Sequence, residues 1–499
     1  MFKNILNYKS LFIAVIFVII LIRIPALGLR TIHIDEGMGI RASELVLSNQ
    51  WHYSPQNGHG PTLFYIGAAI KSIANTNILV FRTASALFLL LGLFVLWLMY
   101  RNELKDIGIL LMLLGLGLSS GMIFFGNYFI HESLFIFLTI LSLALIERFL
   151  KTKNSILLTP FIISLSLMYM TKETALFTYA AWAIAGFVIL FLKHNFENLR
   201  KLISIKNILF IISGFILSAV LYFLFFGLNL DLIKAPYIWL TERGTNMHIR
   251  PWYYFIALLF LHESFLLISG GVAAIFLTIK KQWQSKQLFF FLWFLAVLII
   301  YSAIPYKTPW LILNIILPLG LFVAFSFSEI YKKINKVLII SFIIFLFLIS
   351  LICVYRDNFL HPNRTENYDY AYLQSGSGLS EFQNVIKGIS LLDQSDPLPL
   401  QIVGYGDELL YVLTEKYNRI YEPFIPGLPV YINYQHSSEE MKKTLLKTGY
   451  KYVLLKFTYF TPGPEVDLFI RQDKWDAYKH SSDFINPQTV SPDGTMRYK

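Results

Sequence analysis

Apolar runs recur down the first 355 residues of this 499-residue chain, separated by short connections that carry Lys and Arg. Each run is close to the roughly 20 residues that a helix needs to cross about 30 Å of hydrocarbon. In lipid only helices and closed barrels satisfy their own backbone, and continuous apolar runs without period-two alternation read as helices. Eleven spans are expected, near 10–29, 78–99, 107–125, 130–149, 155–171, 174–192, 207–227, 252–279, 287–304, 309–328 and 337–355. Composition agrees: 56% hydrophobic residues, only 15% charged, and a mean hydropathy of +0.57 exclude an ordinary soluble globule.

The connections set the orientation. On the side of the N-terminus lie MFKNILNYK, YRNELKD, ERFLKTKN, KHNFENLRKLISIK, KKQWQSK and SEIYKKINK, each with at least two Lys or Arg. The positive-inside rule makes this side cytoplasmic, so a multi-pass protein of the plasma (inner) membrane is expected. An odd number of spans then puts residues 356–499 outside. The net charge of +11 is spread over these loops rather than gathered in one patch, which argues against a nucleic-acid partner. The single cysteine, Cys353, falls in a span and allows no internal disulfide. The first run starts basic but has no small-residue cleavage site before Asp35, so it reads as a retained anchor. Two domains are expected: a transmembrane part, 1–355, with a long external loop at 30–77, and a soluble part, 356–499.

The polar clusters fall in the external connections. HIDEGMGIRA holds His33, Asp35, Glu36 and Arg41; NYFIHES holds His131 and Glu132; YMTKETA holds Lys172 and Glu173; HIRPWYY holds Arg250, Trp252 and Tyr253; PYKTPW holds Lys307 and Trp310. Ionisable groups at membrane depth are costly and usually functional. The plain alternatives are carboxylates in headgroup water, a dipole-favoured acid at the start of a span, a local ion pair in a turn, and an interfacial aromatic belt. The functional reading takes Asp35, with Glu36 and Glu132, as acid–base groups that deprotonate or orient a hydroxyl. Lys172, Arg250 and Lys307 then meet an anionic phosphate, and the aromatics stack on a sugar or a prenyl chain. No Walker-type loop is present, so the phosphate is not expected to be a nucleotide's. Residues 37–50 read as an amphipathic helix lying on the membrane, and GHGPTLFYIGAAIKSI as a short interfacial or re-entrant helix.

Five histidines, His33, His52, His59, His131 and His262, raise the question of a metal, but none has HExxH or CxxC spacing. A divalent cation between Asp35 and Glu132 is the one metal site the pattern allows; no cofactor is otherwise implied. His262–Glu263 sits inside the eighth expected span, either as a satisfied pair in the bundle or at the edge of a polar cavity.

The DE pair, the HGP-Y stretch, the second acidic motif, and the TKET, PWYY and KTPW segments, in that order, resemble the membrane-embedded GT-C glycosyltransferases. They are most similar to a prokaryotic family labelled flippase-activity-associated, related to the dolichyl-phosphate-mannose protein mannosyltransferases of glycosyltransferase family 39. That resemblance implies a GT-C fold, a polyprenyl-phosphate-linked sugar as donor, a glycan, lipid or protein acceptor, and inversion at the anomeric carbon. It also implies Asp35 as base and Glu132 as second acid; from the motifs themselves, His33, Arg41, His59, His131, Lys172 and Glu173 are expected to bind the substrate. One position departs: related sequences often carry Arg shortly before the second acid, where this chain has Asn127.

The tail reads as a small α/β domain, with strands at QIVGYG, PVYINY and KYVLLKF, a helix at SSEEMKKTLLKTG ending at Gly449, and a further helix near 378–392. The same charges would also suit a transporter or flippase, or a scaffold presenting lipid-linked glycans. Internal inverted repeats would favour transport, and none is evident.

Overall fold

The computed structural model describes residues 8–30, 32–54, 59–74, 77–104, 106–192, 203–227, 229–238, 241, 248–360, 386, 399–403, 418–420, 428, 430–434, 439–456 and 465–480. The chain forms two compact units. One comprises Met1–Gly28, Val46–Ile70 and Leu79–Leu360; the other comprises Leu29–Leu45, Lys71–Ile78 and His361–Lys499.

All eleven expected apolar runs are helical, and the chain is a multi-pass membrane protein. Among the described residues eight helices are long and apolar enough to cross a bilayer: Phe12–Leu29, Ile78–Tyr100, His131–Thr152, Ala175–Leu192, Ile205–Phe226, Ser285–Ala303, Pro309–Ile330 and Lys336–Leu360. Ser155–Thr171 is apolar but shorter. The loop helices Ile34–Leu47 and Thr62–Ala74 are also present.

Two expected spans are corrected. In place of a straight 107–125, Asp106–Gly117 and Ser120–Asn127 meet at 53°; in place of 252–279, Tyr254–His262 and Ser264–Ile279 meet at 104°. The cause is polar. Ser119 is extended (φ −61°, ψ 134°) and caps the restarting helix by accepting from the Met122 N–H at 3.3 Å. Glu263 sits in the other break with φ −126° and ψ 31°. Its buried carboxylate accepts from the Ser119 hydroxyl at 2.8 Å and from the Gly121 N–H at 2.6 Å. In lipid a side chain that replaces lost ladder bonds makes such a break tolerable. His262–Glu263 is therefore a joint between two helices rather than part of one span.

Pro309–Ile330 is the central helix, wholly surrounded by protein, whereas the peripheral helices leave apolar faces outward. It packs against Asp106–Gly117, Ser264–Ile279 and Ser285–Ala303. Helix association in lipid depends on close backbone approach rather than on the hydrophobic effect. Gly108 supplies it here, since a Cβ at that position would lie 3.0 Å from both the Ala324 carbonyl oxygen and the Ser328 Cβ.

In the second unit five strands form one sheet in the order β2-β1-β3-β5-β4, from β1 (Pro399–Val403), β2 (Asn418–Ile420), β3 (Val430–Tyr434), β4 (Tyr450–Lys456) and β5 (Glu465–Arg471). β1 pairs parallel with β2 and β3, while β5 runs antiparallel between β3 and β4. The helix Glu439–Lys447 is followed by Gly449 at φ +86°, a conformation suited to glycine at a helix C-terminus. Tyr431, Leu445, Tyr450 and Phe469 form its buried core. The α/β reading of the tail thus holds; β2, β5 and the helix Gln472–Lys479 were not foreseen, and the expected helix near 378–392 lies outside the described residues.

Candidate active site

Three chain segments of the first unit meet through charge. Lys172, in the connector between Ser155–Thr171 and Ala175–Leu192, bonds Glu132 at the start of His131–Thr152. The next residue, Glu173, turns the other way and takes His59, with both carboxylate oxygens 3.1 Å from Nδ1. Lys172, Glu132 and Glu173 are buried, while the His59 side chain keeps 23% of its surface exposed. Burial alone would raise the Glu173 carboxyl, but the His59 imidazole beside it, aided by Lys172, holds it below the usual carboxylate range. The His131 ring lies edge-on to His59 at 4.9 Å and to Phe64 at 5.1 Å.

Gly60 explains how His59 reaches this place. A Cβ there would stand 1.9 Å from the Met170 carbonyl oxygen, so only glycine lets the HGP segment press against the end of the Ser155–Thr171 helix. Met170 itself joins Tyr53, Phe226 and Leu232 in a buried apolar cluster, with Trp51 packed against it.

Arg250 and Lys307 arrive together. An isolated antiparallel bridge joins Ile249 to Tyr306, the Arg250 N–H donates to the Pro305 carbonyl at 3.1 Å, and the Lys307 N–H donates to the His248 carbonyl at 3.0 Å. The Lys307 ammonium is buried and donates to the carbonyls of Ile304 and Arg250, the latter at 3.3 Å; among the described residues no carboxylate pairs with it. Burial lowers its pKa from the ordinary lysine value. The Arg250 guanidinium lies 5.7 Å from the centre of the Tyr254 ring. Trp310 is buried with its ring 6.4 Å from Phe125, whereas Trp252 and Tyr253 are 66% and 51% exposed, as an interfacial belt requires.

Asn127, at the departing position, is buried and receives a guanidinium from elsewhere: Arg23 donates to its Oδ1 at 3.0 Å and to the Met122 carbonyl at 2.9 Å. No sequence signal linked Arg23 to this place, because the two residues lie on different spans.

His33, Asp35, Glu36 and Arg41 belong to the second unit. Glu36 is buried and accepts from the His33 N–H at 2.9 Å, while the Asp35 N–H donates to the His33 Nδ1 at 3.1 Å. Both acids thus stand in the first turn of Ile34–Leu47, where the helix dipole favours negative charge. Asp35 is the more exposed of the two, and Arg41 pairs with Glu44 at 3.0 Å. Among the described residues no three His, Cys, Asp or Glu side chains gather as metal ligands.

Polar clusters are not confined to one set of helix ends. At the opposite end of His131–Thr152, Lys286 bonds Glu103 at 2.5 Å and Glu147 at 2.7 Å, and Lys151 joins the same two acids. Beside them lies a cavity of about 460 Å³ lined by apolar side chains such as Leu143, Phe161, Ile189 and Phe289.

This arrangement of broken and continuous apolar helices followed by a sheet-bearing tail has counterparts among solved structures. The solved structures it is similar to include ArnT from Cupriavidus metallidurans. The apo crystal structure of that protein superposes with a TM-score of 0.60 at 12% identity, over 93% of this chain and 99% of that one. The crystal structure of ArnT bound to undecaprenyl phosphate gives 0.55 at 13% identity, over 91% and 97%. These likenesses concern the fold. No protein-family model matches the sequence, and none of the curated proteins matches it.

Proposed function

We propose that this chain is a glycosyltransferase that moves a sugar from a polyprenyl-phosphate carrier to an acceptor hydroxyl at the outer face of the membrane. Lys307 carries the reading. A buried cation whose only acceptors among the described residues are backbone carbonyls is well placed to receive an anion. Lys172 is less suited, because Glu132 already neutralises it. The fold shared with a protein crystallised on undecaprenyl phosphate supports a lipid-borne phosphate as that anion, as does the resemblance of six ordered motifs to GT-C glycosyltransferases.

In this scheme Asp35, in the first turn of its helix, takes the proton from the acceptor hydroxyl. The oxygen attacks the anomeric carbon from the face opposite the phosphate, the bond to the phosphate oxygen breaks, and the configuration inverts. Lys307, with Arg250 beside it, balances the charge that accumulates on the departing carrier phosphate. The Glu132–Lys172 and His59–Glu173 pairs hold the sugar end of the site. The outer face follows from the basic connections on the other side.

The test is to incubate purified protein with undecaprenyl-phosphate-linked mannose or glucose and a mixture of hydroxyl acceptors, and to follow release of undecaprenyl phosphate by mass spectrometry. Release by wild type, lost in Asp35→Asn with normal membrane insertion, is expected. Passage of intact glycolipid across vesicles without cleavage would instead identify a flippase.

A further inference from the structure

A second polar assembly stands at the far end of the same helices. Lys151 lies 19 residues after Glu132 on His131–Thr152, about 28 Å along the axis. There Lys151 and Lys286 pair with Glu103 and Glu147, the Tyr100 hydroxyl donates to Glu147 at 2.5 Å, and Glu329 pairs with Lys332. These pairs are open to a ligand: the side chains of Glu103, Lys286 and Glu329 keep 29%, 32% and 25% of their surface exposed.

Two cavities meet on this assembly. The apolar one, of about 460 Å³, reaches from the level of Lys151 to that of Leu143, about 12 Å deeper along the helix. Ligand sites usually measure about 300–1,000 Å³. Leu150 on its wall is 43% exposed, so this cavity borders lipid rather than the middle of the bundle. The other, of about 240 Å³, is lined by Glu103, Gln284, Ser285, Lys286, Ser328 and Glu329, with Phe325 its one aromatic. Ser285 and Lys286 line both.

An apolar trough that ends in a polar chamber fits an amphiphile, with its chain at membrane depth and its head at the span ends. The charges select the head. Among the residues lining the two cavities, three carboxylates (Glu103, Glu147 and Glu329) stand against two ammonium groups (Lys151 and Lys286). An anionic lipid needs a basic pocket, which this is not. A quaternary ammonium calls for an aromatic cage, and Phe325 alone does not make one. A primary ammonium brings three N–H donors to carboxylates, which only accept. In a zwitterionic lipid the phosphate lies between that ammonium and the acyl chains, and Lys286 lies at the junction of chamber and trough.

We infer that the two cavities form a binding site for a phospholipid of the phosphatidylethanolamine type, in the leaflet opposite the proposed transfer site. One acyl chain lies along Leu143, Phe161, Ile189 and Phe289, the phosphate meets Lys286, and the ammonium meets Glu103 and Glu329. The lipid then braces four helices, His131–Thr152, Ser155–Thr171, Ala175–Leu192 and Ser285–Ala303, which each supply a wall. The site goes beyond the sugar-transfer reading and does not depend on it.

The experiment titrates full-length protein in detergent micelles with phosphatidylethanolamine, phosphatidylcholine and phosphatidylglycerol of identical acyl chains, and counts retained lipid by native mass spectrometry. Wild type is expected to hold one ethanolamine lipid about tenfold more tightly than either of the others, and to melt at a higher temperature with it. Glu103→Gln combined with Glu329→Gln should abolish the preference; Glu329→Gln alone, whose partner Lys332 is largely exposed, should reduce it and is the gentler substitution. Ile189→Trp, or Leu150→Trp from the exposed wall, fills the trough without touching a charge and should weaken all three lipids alike by about tenfold. Equal retention of the three lipids, or preference for phosphatidylglycerol, overturns the inference. So does a preference that survives the loss of both carboxylates, or unchanged retention in a folded tryptophan variant.

Discussion

Lys172 and Glu173 are neighbours in sequence but bond in different directions, Lys172 to Glu132, forty residues earlier, and Glu173 to His59. One connector therefore ties together the start of His131–Thr152 and the HGP segment.

Lys172→Met strands the Glu132 carboxylate in a buried place and should destabilise the protein by about 3–5 kcal/mol. Lys172→Met combined with Glu132→Leu should recover most of the loss, since an apolar pair of similar volume replaces the ion pair. Melting in detergent reads both. Additive losses in the double variant would show that the two charges do not support each other.

Gly60→Ala sets a methyl group on the Met170 carbonyl. Backbone on backbone cannot yield as a side-chain end would, so a loss at the upper end of the roughly 1–3 kcal/mol typical of overpacking is expected. His59 should retreat from Glu173, and sugar transfer should fall further than stability. Full activity in a well-folded Gly60→Ala protein would show that the close approach is dispensable.

The Glu173 carboxyl has its pKa lowered from 4.5 in the folded chain, with burial opposing and His59 and Lys172 producing the fall. A carboxyl of lower pKa in the folded than in the unfolded state contributes stability that is present above 4.5 and is lost as pH drops through the folded value. Melting temperature should therefore decline on acidification below that point, and Glu173→Gln should flatten this part of the profile. An identical acid limb in Glu173→Gln would remove Glu173 from the account.

Lys307→Met should leave thermal stability unchanged or raise it, because a buried cation without a carboxylate partner is removed. Affinity for undecaprenyl phosphate should fall by about 10- to 100-fold, the worth of a charged hydrogen bond. Undiminished binding would move the phosphate elsewhere, with Arg250 the next residue to test.

The runs of Leu, Ile and Phe made the membrane helices legible, because hydrocarbon thickness leaves a spanning segment little choice of length or conformation. The two broken spans escaped notice because their cause is tertiary: nothing in LGLSSG or LHESF announces that Glu263 will cap the helix begun by Ser119. The basic and acidic members of the site stood out for the opposite reason, as charges are conspicuous against an apolar background. Uncharged polar residues do not stand out in this way, since Ser, Thr and Tyr are common in spans and only packing reveals what they bond. Arg23 was equally hidden, its bond to Asn127 crossing 104 residues. In the tail, β1, β3 and β4 were visible as β-branched and aromatic runs, whereas EVDLFIR carries charge at both ends and was passed over as a strand.

Glu263 has one further consequence. Because the residue at the elbow of one helix plugs the start of another, neither elbow can straighten by itself. The pair behaves as a single mechanical corner, so a substitution at Ser119 should be felt along Tyr254–His262 as much as in its own helix, and evolution can alter the angle only by changing both sides together.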